Sequence, residues 1–399
     1  MSAAISIKNL DVVFGDKVDP ALKLLDQGKT RQQIIEATGS IVGVHNANID
    51  VQQGEICVLM GLSGSGKSSL LRAVNGLNPI SRGSVLVADG NGHVDLGNCD
   101  AKTLRRIRAE RVSMVFQKFA LMPWLSVLDN VAYGLELMGQ GKAERHQKAM
   151  EKLEMVGLAD WKDSLPSELS GGMQQRVGLA RAFAMDSDIL LMDEPFSALD
   201  PLIRAQLQDE LLELQRNLNK TILFVSHDLD EALKIGTNIC IMESARIIQH
   251  GAPEDIVMNP ANAYVEDFVA HTNPLNVLAG RSLMTAADKL SKTNGDVLVC
   301  GEKSLWLAAD GKSAHCHGKN VPVQECSSRG NGSIPATGTM AITTPDISMR
   351  RAIEIRYATE QPVILMEKGK LVGVLTDHNF YHAMLGKHFG CNDAKVMAG

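Results

Sequence analysis

Gly61-Leu62-Ser63-Gly64-Ser65-Gly66-Lys67-Ser68 follows the apolar run Ile56-Cys57-Val58-Leu59-Met60. A short, wholly apolar run bounded by glycine reads as a buried strand, and the chain after Gly66 reads as a helix. Strand, glycine turn and helix N-terminus together aim backbone N–H groups and the positive end of the helix at one point. An anion held there also meets the Lys67 ammonium, while the Ser68 hydroxyl is placed to share a Mg²⁺ ion with it. The candidate nucleotide-phosphate set is therefore Gly61, Ser63, Gly64, Ser65, Gly66, Lys67, Ser68 and Ser69.

Outward from this loop the chain alternates. Apolar strand patterns at 55–60, 112–116, 189–192, 221–225 and 239–242 are separated by helical patterns at 68–75, 127–138, 144–156, 172–185, 202–218 and 229–234. Such alternation builds a parallel sheet covered on both faces, an α/β fold. Strand-like stretches at 5–14 and 41–51 flank a helical insert at about 19–40, with Pro20 suited to a helix start and Gly28 and Gly39 to helix ends. Thr30 with Gln33 has the spacing of a capping box. A composition shift at Asn273-Pro274 predicts two domains, 1–272 and 273–399.

Composition narrows the function. A net charge of −6 and 4% aromatic residues argue against a nucleic-acid partner. No apolar run approaches bilayer length, and the N-terminus has no export signature. The seven cysteines are scattered, and reduced thiols in the cytoplasm are the simplest account. His315-Cys316-His317 with Cys326 matches no zinc spacing and reads as a loop.

Leu169-Ser170-Gly171-Gly172-Met173-Gln174-Gln175-Arg176 opens a second helix with a serine and two glycines, a second anion cradle in the same domain. One nucleotide does not need two cradles on one chain. Two copies facing head to tail do need them, each nucleotide lying between one subunit's phosphate loop and the other's Ser170-Gly171-Gly172. This stretch and its surroundings, over about residues 5–270, resemble the ATP-binding subunits of ABC transporters. The resemblance implies a P-loop ATPase core with a helical signature subdomain, a homodimer, ATP and Mg²⁺, and Gln174 within the signature that meets the partner subunit's ATP.

The remaining residues follow in the family's order. Ile189-Leu190-Leu191-Met192 ends in Asp193, which the resemblance assigns to Mg²⁺ with Ser68, and in Glu194, the general base or orienter of the attacking water. Ser197-Ala198-Leu199-Asp200 resembles the D-loop at the dimer seam, and His227 the switch histidine at the γ-phosphate. Gln117 resembles the Q-loop glutamine that reaches Mg²⁺ and the water, so Glu194, His227 and Gln117 are the expected catalytic residues. Phe14 stands where the family stacks an aromatic ring on adenine; core packing is the competing reading. Phe119, Leu121, Met122, Pro123 and Trp124 lie where the family receives the coupling helix of a membrane subunit.

The insert and the run from Met60 to Lys67 are similar to ATPases of the quaternary-amine uptake group, which import choline, glycine betaine, proline betaine or carnitine. The stretch 271–278 resembles the choline-type members. The tail at about 337–386 resembles one CBS module, a small α/β regulatory domain, with Asn379 where an aspartate is common; residues 275–335 leave open whether a second half exists. A packing appendage without a ligand is the alternative for the tail. The implied partners are multi-span permease subunits and, through them, a periplasmic or extracellular solute-binding protein, with the chain peripheral on the cytoplasmic face of the inner membrane. The competing readings are an ABC importer ATPase for another small solute, a soluble ABC ATPase of translation or repair, and a nucleotide sensor without turnover. The single core and acidic balance count against the second, and Glu194 counts against the third.

Overall fold

The computed structural model describes residues 3–118, 120–270, 278–293, 295–301, 303–308, 313–328 and 333–385. Phe119 and positions 271–277, part of the choline-like stretch, lie outside the described residues. Two compact units divide between Ala252 and Pro253. The expected boundary at 272/273 therefore moves toward the N-terminus. The physical reason is packing: Met258 joins the apolar core of the second unit, and the Glu254 carboxylate accepts from the Ala279 N–H at 3.3 Å.

The first unit begins β1 (Ala3–Phe14), α1 (Val18–Asp26), α2 (Arg31–Thr38), β2 (Ile41–Gln52), β3 (Ile56–Met60), α3 (Lys67–Val74), β4 (Arg82–Asp89), β5 (Gly92–Asp95) and α4 (Ala101–Glu110). It continues β6 (Val112–Val115), α5 (Val127–Leu137), α6 (Lys142–Met155), α7 (Gly171–Ala184), β7 (Ile189–Asp193) and α8 (Pro201–Leu218). It closes with β8 (Thr221–Val225), α9 (Leu229–Ile235), β9 (Asn238–Glu243) and β10 (Arg246–Gly251).

The central sheet has the order β10-β9-β3-β8-β7-β6, parallel except for the β10–β9 edge pair. All five residues of β3, β7 and β8 are buried, which is why these strands read as unbroken apolar runs. Register sets Leu59 beside Val225 and Val225 beside Asp193, so the strands end at one level. Everything that follows a strand end there, namely Gly61, Glu194, Ser226-His227 and Gln117, comes to one edge of the sheet.

A second sheet, β2-β1-β4-β5, is antiparallel and covers the phosphate-loop helix. β4, β5 and α4 carry no clear sequence signal, because β4 opens on Arg82-Gly83-Ser84 and α4 buries one residue, Ile107. In the insert, the capping box forms at Thr30 and Gln33, and Gly39 closes α2 in the left-handed conformation. Ala21, Leu25 and Ile34 fasten both insert helices to Val13, Val42 and Ala245.

In the second unit a βαββα arrangement runs Met340–Thr343, Met349–Thr359, Val363–Glu367, Lys370–Leu375 and Asp377–Leu385. Where the sequence leaves a second half open, the described residues form an antiparallel meander of five short strands between Lys292 and Val321, not a second βαββα arrangement. Its Val299, Leu305, Leu307 and Ala314 pack on Met340, Ile342, Ile364 and Val374 of the first sheet. His315 and Cys316 lie on a meander strand, not in a loop. Among the described residues, no helix is long and apolar enough to cross a membrane.

Candidate nucleotide site

The loop between β3 and α3 folds as it does because glycine is needed at its start. Gly61 has φ +139°, and a Cβ there would stand 2.1 Å from the Met242 carbonyl oxygen. Gly66, the N-cap of α3, offers no side-chain cap, so the first-turn N–H groups stay available to an anion. Lys67 is buried, and its Nζ donates to the carbonyls of Gly61 at 2.8 Å and Leu62 at 3.1 Å. Burial pushes the Lys67 pKa down, against the pull of the Glu194 and Asp193 carboxylates.

Asp193, wholly buried at the end of β7, accepts from Ser68 Oγ at 2.8 Å and Arg72 Nη2 at 3.0 Å. Glu194 follows in the left-handed region, φ +48°, an uncommon backbone for a residue with a side chain. Its N–H donates to Val225 O, and its carbonyl accepts from Gln175 Nε2 at 3.1 Å and Ser197 Oγ at 3.0 Å. The carboxylate thus held accepts from Gln117 Nε2 at 3.0 Å and lies 3.4 Å from His227 Nδ1. The three residues expected to be catalytic meet at one oxygen atom, Oε2 of Glu194.

Phe14, Ser63, Gly64, Gly66, Lys67, Ser68, Ser69, Gln117, Glu194 and His227 line one cleft of about 470 Å³, together with Arg31, Ile41 and Gly43. Phe14 reaches it because Gly43 has no side chain: a Cβ there would stand 2.6 Å from the Phe14 ring. The buried Ser65 hydroxyl and Gly61 lie within the loop's turn and do not line the cleft.

Ser170, Gly171, Gly172 and Gln174 do not line it either. Ser170 is an exposed N-cap, its Oγ accepting from Met173 N at 3.3 Å. Gln174 donates to the carbonyls of Pro166 and Leu169 and so stiffens its own loop. Gln175, which the sequence did not single out, ties α7 to the sheet edge that carries Glu194: besides donating to Glu194 O, it accepts from the N–H of Ala198 at 3.0 Å. Asp200 caps α8, accepting from Leu202 N and Ile203 N.

After Gln117 the chain is clamped by Asn130, another residue with no sequence signal. Its wholly buried amide accepts from Met122 N and donates to the carbonyls of Met122, Leu125 and Ser126. Leu121 and Met122 are half-buried and Pro123 is exposed, while Trp124 is 73% exposed, so it is no core residue. Val127 N and Leu128 N bond Ser164 O and Lys162 O, which brings the exposed Trp161 and Leu165 into the same surface.

The ligand chemistry of the cleft can be tested on its donors. Among the described residues no cluster of three or more His, Cys, Asp or Glu could hold a metal alone. One buried carboxylate and one hydroxyl 2.8 Å apart fit a Mg²⁺ ion whose other ligands are phosphate oxygens and water.

A family profile described as "ABC transporter" matches residues 44–197. The glycine betaine transport ATP-binding protein OpuAA of Bacillus subtilis is 50% identical over 291 residues, 73% of this chain and 69% of that protein. The glycine betaine/proline betaine transport system ATP-binding protein ProV of Escherichia coli is 49% identical over 283 residues, 71% and 70% of the two chains. The glycine betaine/carnitine transport ATP-binding protein GbuA of Listeria monocytogenes is 39% identical over 403 residues, 97% of this chain and 99% of its own. The dimeric ATP-binding cassette MJ0796 bound to ADP and Pi superposes with a TM-score of 0.54 at 28% identity, over 62% of this chain and 98% of that one. The cleft of a P-loop fold, its conjunction of acid, glutamine and histidine, and these likenesses give one result: the chain belongs to the ATP-binding subunits of ABC transporters, as a close relative of the glycine betaine and proline betaine transport ATPases.

Proposed function

We propose that this chain drives import of a small quaternary amine, hydrolysing ATP in a homodimer docked on permease subunits at the inner face of the cell membrane. The observation that carries the reading is the meeting of Gln117, Glu194 and His227 beside the phosphate loop. Adenine stacks on Phe14, and the phosphates lie along the N–H groups that open α3, with Lys67 leaving the loop carbonyls for the β- and γ-oxygens. Ser68 and Asp193, with Gln117 beside them, would hold a Mg²⁺ ion, whose chemistry there would be to spread the charge that builds on the transferred phosphoryl group. Glu194 takes a proton from the attacking water, His227 holds the γ-phosphate, and Gln117 leaves Glu194 as the water enters.

In this reading Ser170, Gly171 and Gly172 complete the partner subunit's site, and Ser197 to Asp200 line the seam. ATP's higher affinity for the closed dimer over the open one is the energy available for the swing. The surface of Trp124, Trp161 and Leu165 passes it to a coupling helix. Trp124→Ala is expected to leave ATPase activity of the isolated chain unchanged, because the ring is 73% exposed. It is also expected to lower transport at least tenfold, as loss of an anchor costing about 2 kcal/mol would. Uptake equal to wild type in reconstituted vesicles would refute that role.

Cargo follows from the relatives, whose names give glycine betaine, proline betaine and carnitine. All three carry a quaternary nitrogen, as choline does. The test is uptake by vesicles containing the cognate permease and binding protein, with each amine labelled in turn. Accumulation of none of them, while Lys67-dependent ATPase activity persists, would assign the chain to another solute.

For the second unit we infer a CBS-like packing module without an adenosyl ligand. Asn379 supports this: its Oδ1 accepts from Thr376 N and Oγ1 at 2.8 Å, and its Nδ2 donates to Leu283 O at 2.6 Å and to Thr285 Oγ1 at 3.3 Å. Nothing on that amide is left for a ribose.

A further inference from the structure

We propose that Arg31, carried by the helical insert, binds the phosphates of ATP, so that the insert is a working wall of the nucleotide site. The proposal rests on the reading of the cleft as an ATP site. Arg31 is the first residue of α2, and the capping box at Thr30 and Gln33 fixes the direction in which the helix starts. Its Nη1 donates to the Gly64 carbonyl at 2.8 Å, in the middle of the phosphate loop, and its side chain lines the cleft beside Lys67 and Phe14.

The guanidinium is short of partners. Nε is buried without an acceptor, and among the described residues no carboxylate pairs with Arg31. Arg72, on the neighbouring helix α3, instead pairs with Asp193. A half-buried cation that meets only a neutral carbonyl has most of its five donors and all of its charge uncommitted. A polyphosphate supplies what is missing, because a planar fork matches two phosphate oxygens.

The insert is anchored well enough to hold that geometry. The Asp26 carboxylate takes both Nη atoms of Arg82 at 3.1 and 2.8 Å, and Arg82 Nε reaches the buried Asp11 at 2.6 Å. With Ala21, Leu25 and Ile34 buried against the body of the unit, Arg31 stands at a fixed height over the loop. One Nη1 donor holds the Gly64 carbonyl, and the remaining donors go to the phosphates of bound ATP.

A purely structural staple to Gly64 is the competing account, and Arg31→Gln separates the two. Glutamine keeps an N–H donor for the carbonyl and loses the charge. The experiment measures ATP affinity by calorimetry on the full chain, for wild type, R31Q, R31K and K67A, at low and high salt, with Tm of the nucleotide-free proteins alongside. R31Q is expected to bind ATP roughly tenfold more weakly, with R31K recovering part of the loss. The salt dependence of binding should be shallower in R31Q, and Tm should move by less than about 2 °C. If wild type binds, K67A does not, and R31Q binds as wild type does, Arg31 is only a staple. A Tm drop above roughly 5 °C that accompanies the lost affinity also assigns it to structure. Should wild type itself fail to bind ATP, the nucleotide reading of the cleft fails and this proposal with it.

Discussion

Replacing Glu194 with Gln is expected to preserve ATP binding, lower turnover by about 10³-fold and leave an ATP-loaded dimer that outlasts the wild-type one. The substitution changes one oxygen to an amide group of the same size. The backbone at φ +48° is held by Gln175, Ser197 and the Val225 carbonyl, none of which involves the carboxylate. The side-chain contact with Gln117 also survives, since the amide oxygen still accepts. What disappears is the proposed base for the attacking water and one negative charge at the cleft. Turnover with light scattering at saturating ATP reads both effects. Activity within about tenfold of wild type would remove Glu194 from the proton transfer. A variant that binds ATP yet stays monomeric at saturation would count against a site shared between two subunits.

The second large effect is expected at Gly172→Asp. Gly172 sits in the first turn of α7, outside the cleft of its own chain, and a Cβ there would stand 3.3 Å from the Ala198 carbonyl oxygen. Space for a side chain therefore exists with a small shift, and the fold should survive. The new carboxylate would face the triphosphate held by the partner subunit, where like charges in a water-poor seam repel strongly. ATP affinity of the monomer should stay within about threefold of wild type, because its own loop is untouched, whereas ATP-driven dimerisation and hydrolysis should fall at least 10²-fold. Wild-type hydrolysis in this variant would mean that each site works from one chain alone.

Some of this was readable from the chain and some was not. The phosphate loop, the acidic pair at the end of β7 and the Ser-Gly-Gly helix start are contiguous strings, each legible without knowing what packs beside it. Strands β3, β7 and β8 announced themselves because both of their faces are covered. By contrast β4, β5 and α4 are part-exposed and rich in glycine or charge, so their patterns stay weak. The domain boundary was misplaced because the helices at Pro253–Met258 and Ala263–Val269 continue the helical composition of the first unit while belonging to the second.

What the chain alone determined is a set of local devices: a phosphate loop, a paired acid and a second glycine-led helix start, since each is written in adjacent residues whose backbone geometry is local. What only the tertiary structure decided is who meets whom across long separations. Gln117 with Glu194, Arg31 with Gly64, and Gln175 with both Glu194 and Ala198 are contacts made by side chains on different elements. Glutamine and arginine occur all over protein surfaces, so no local pattern marks them. Strand register and the anchoring of the insert bring them together.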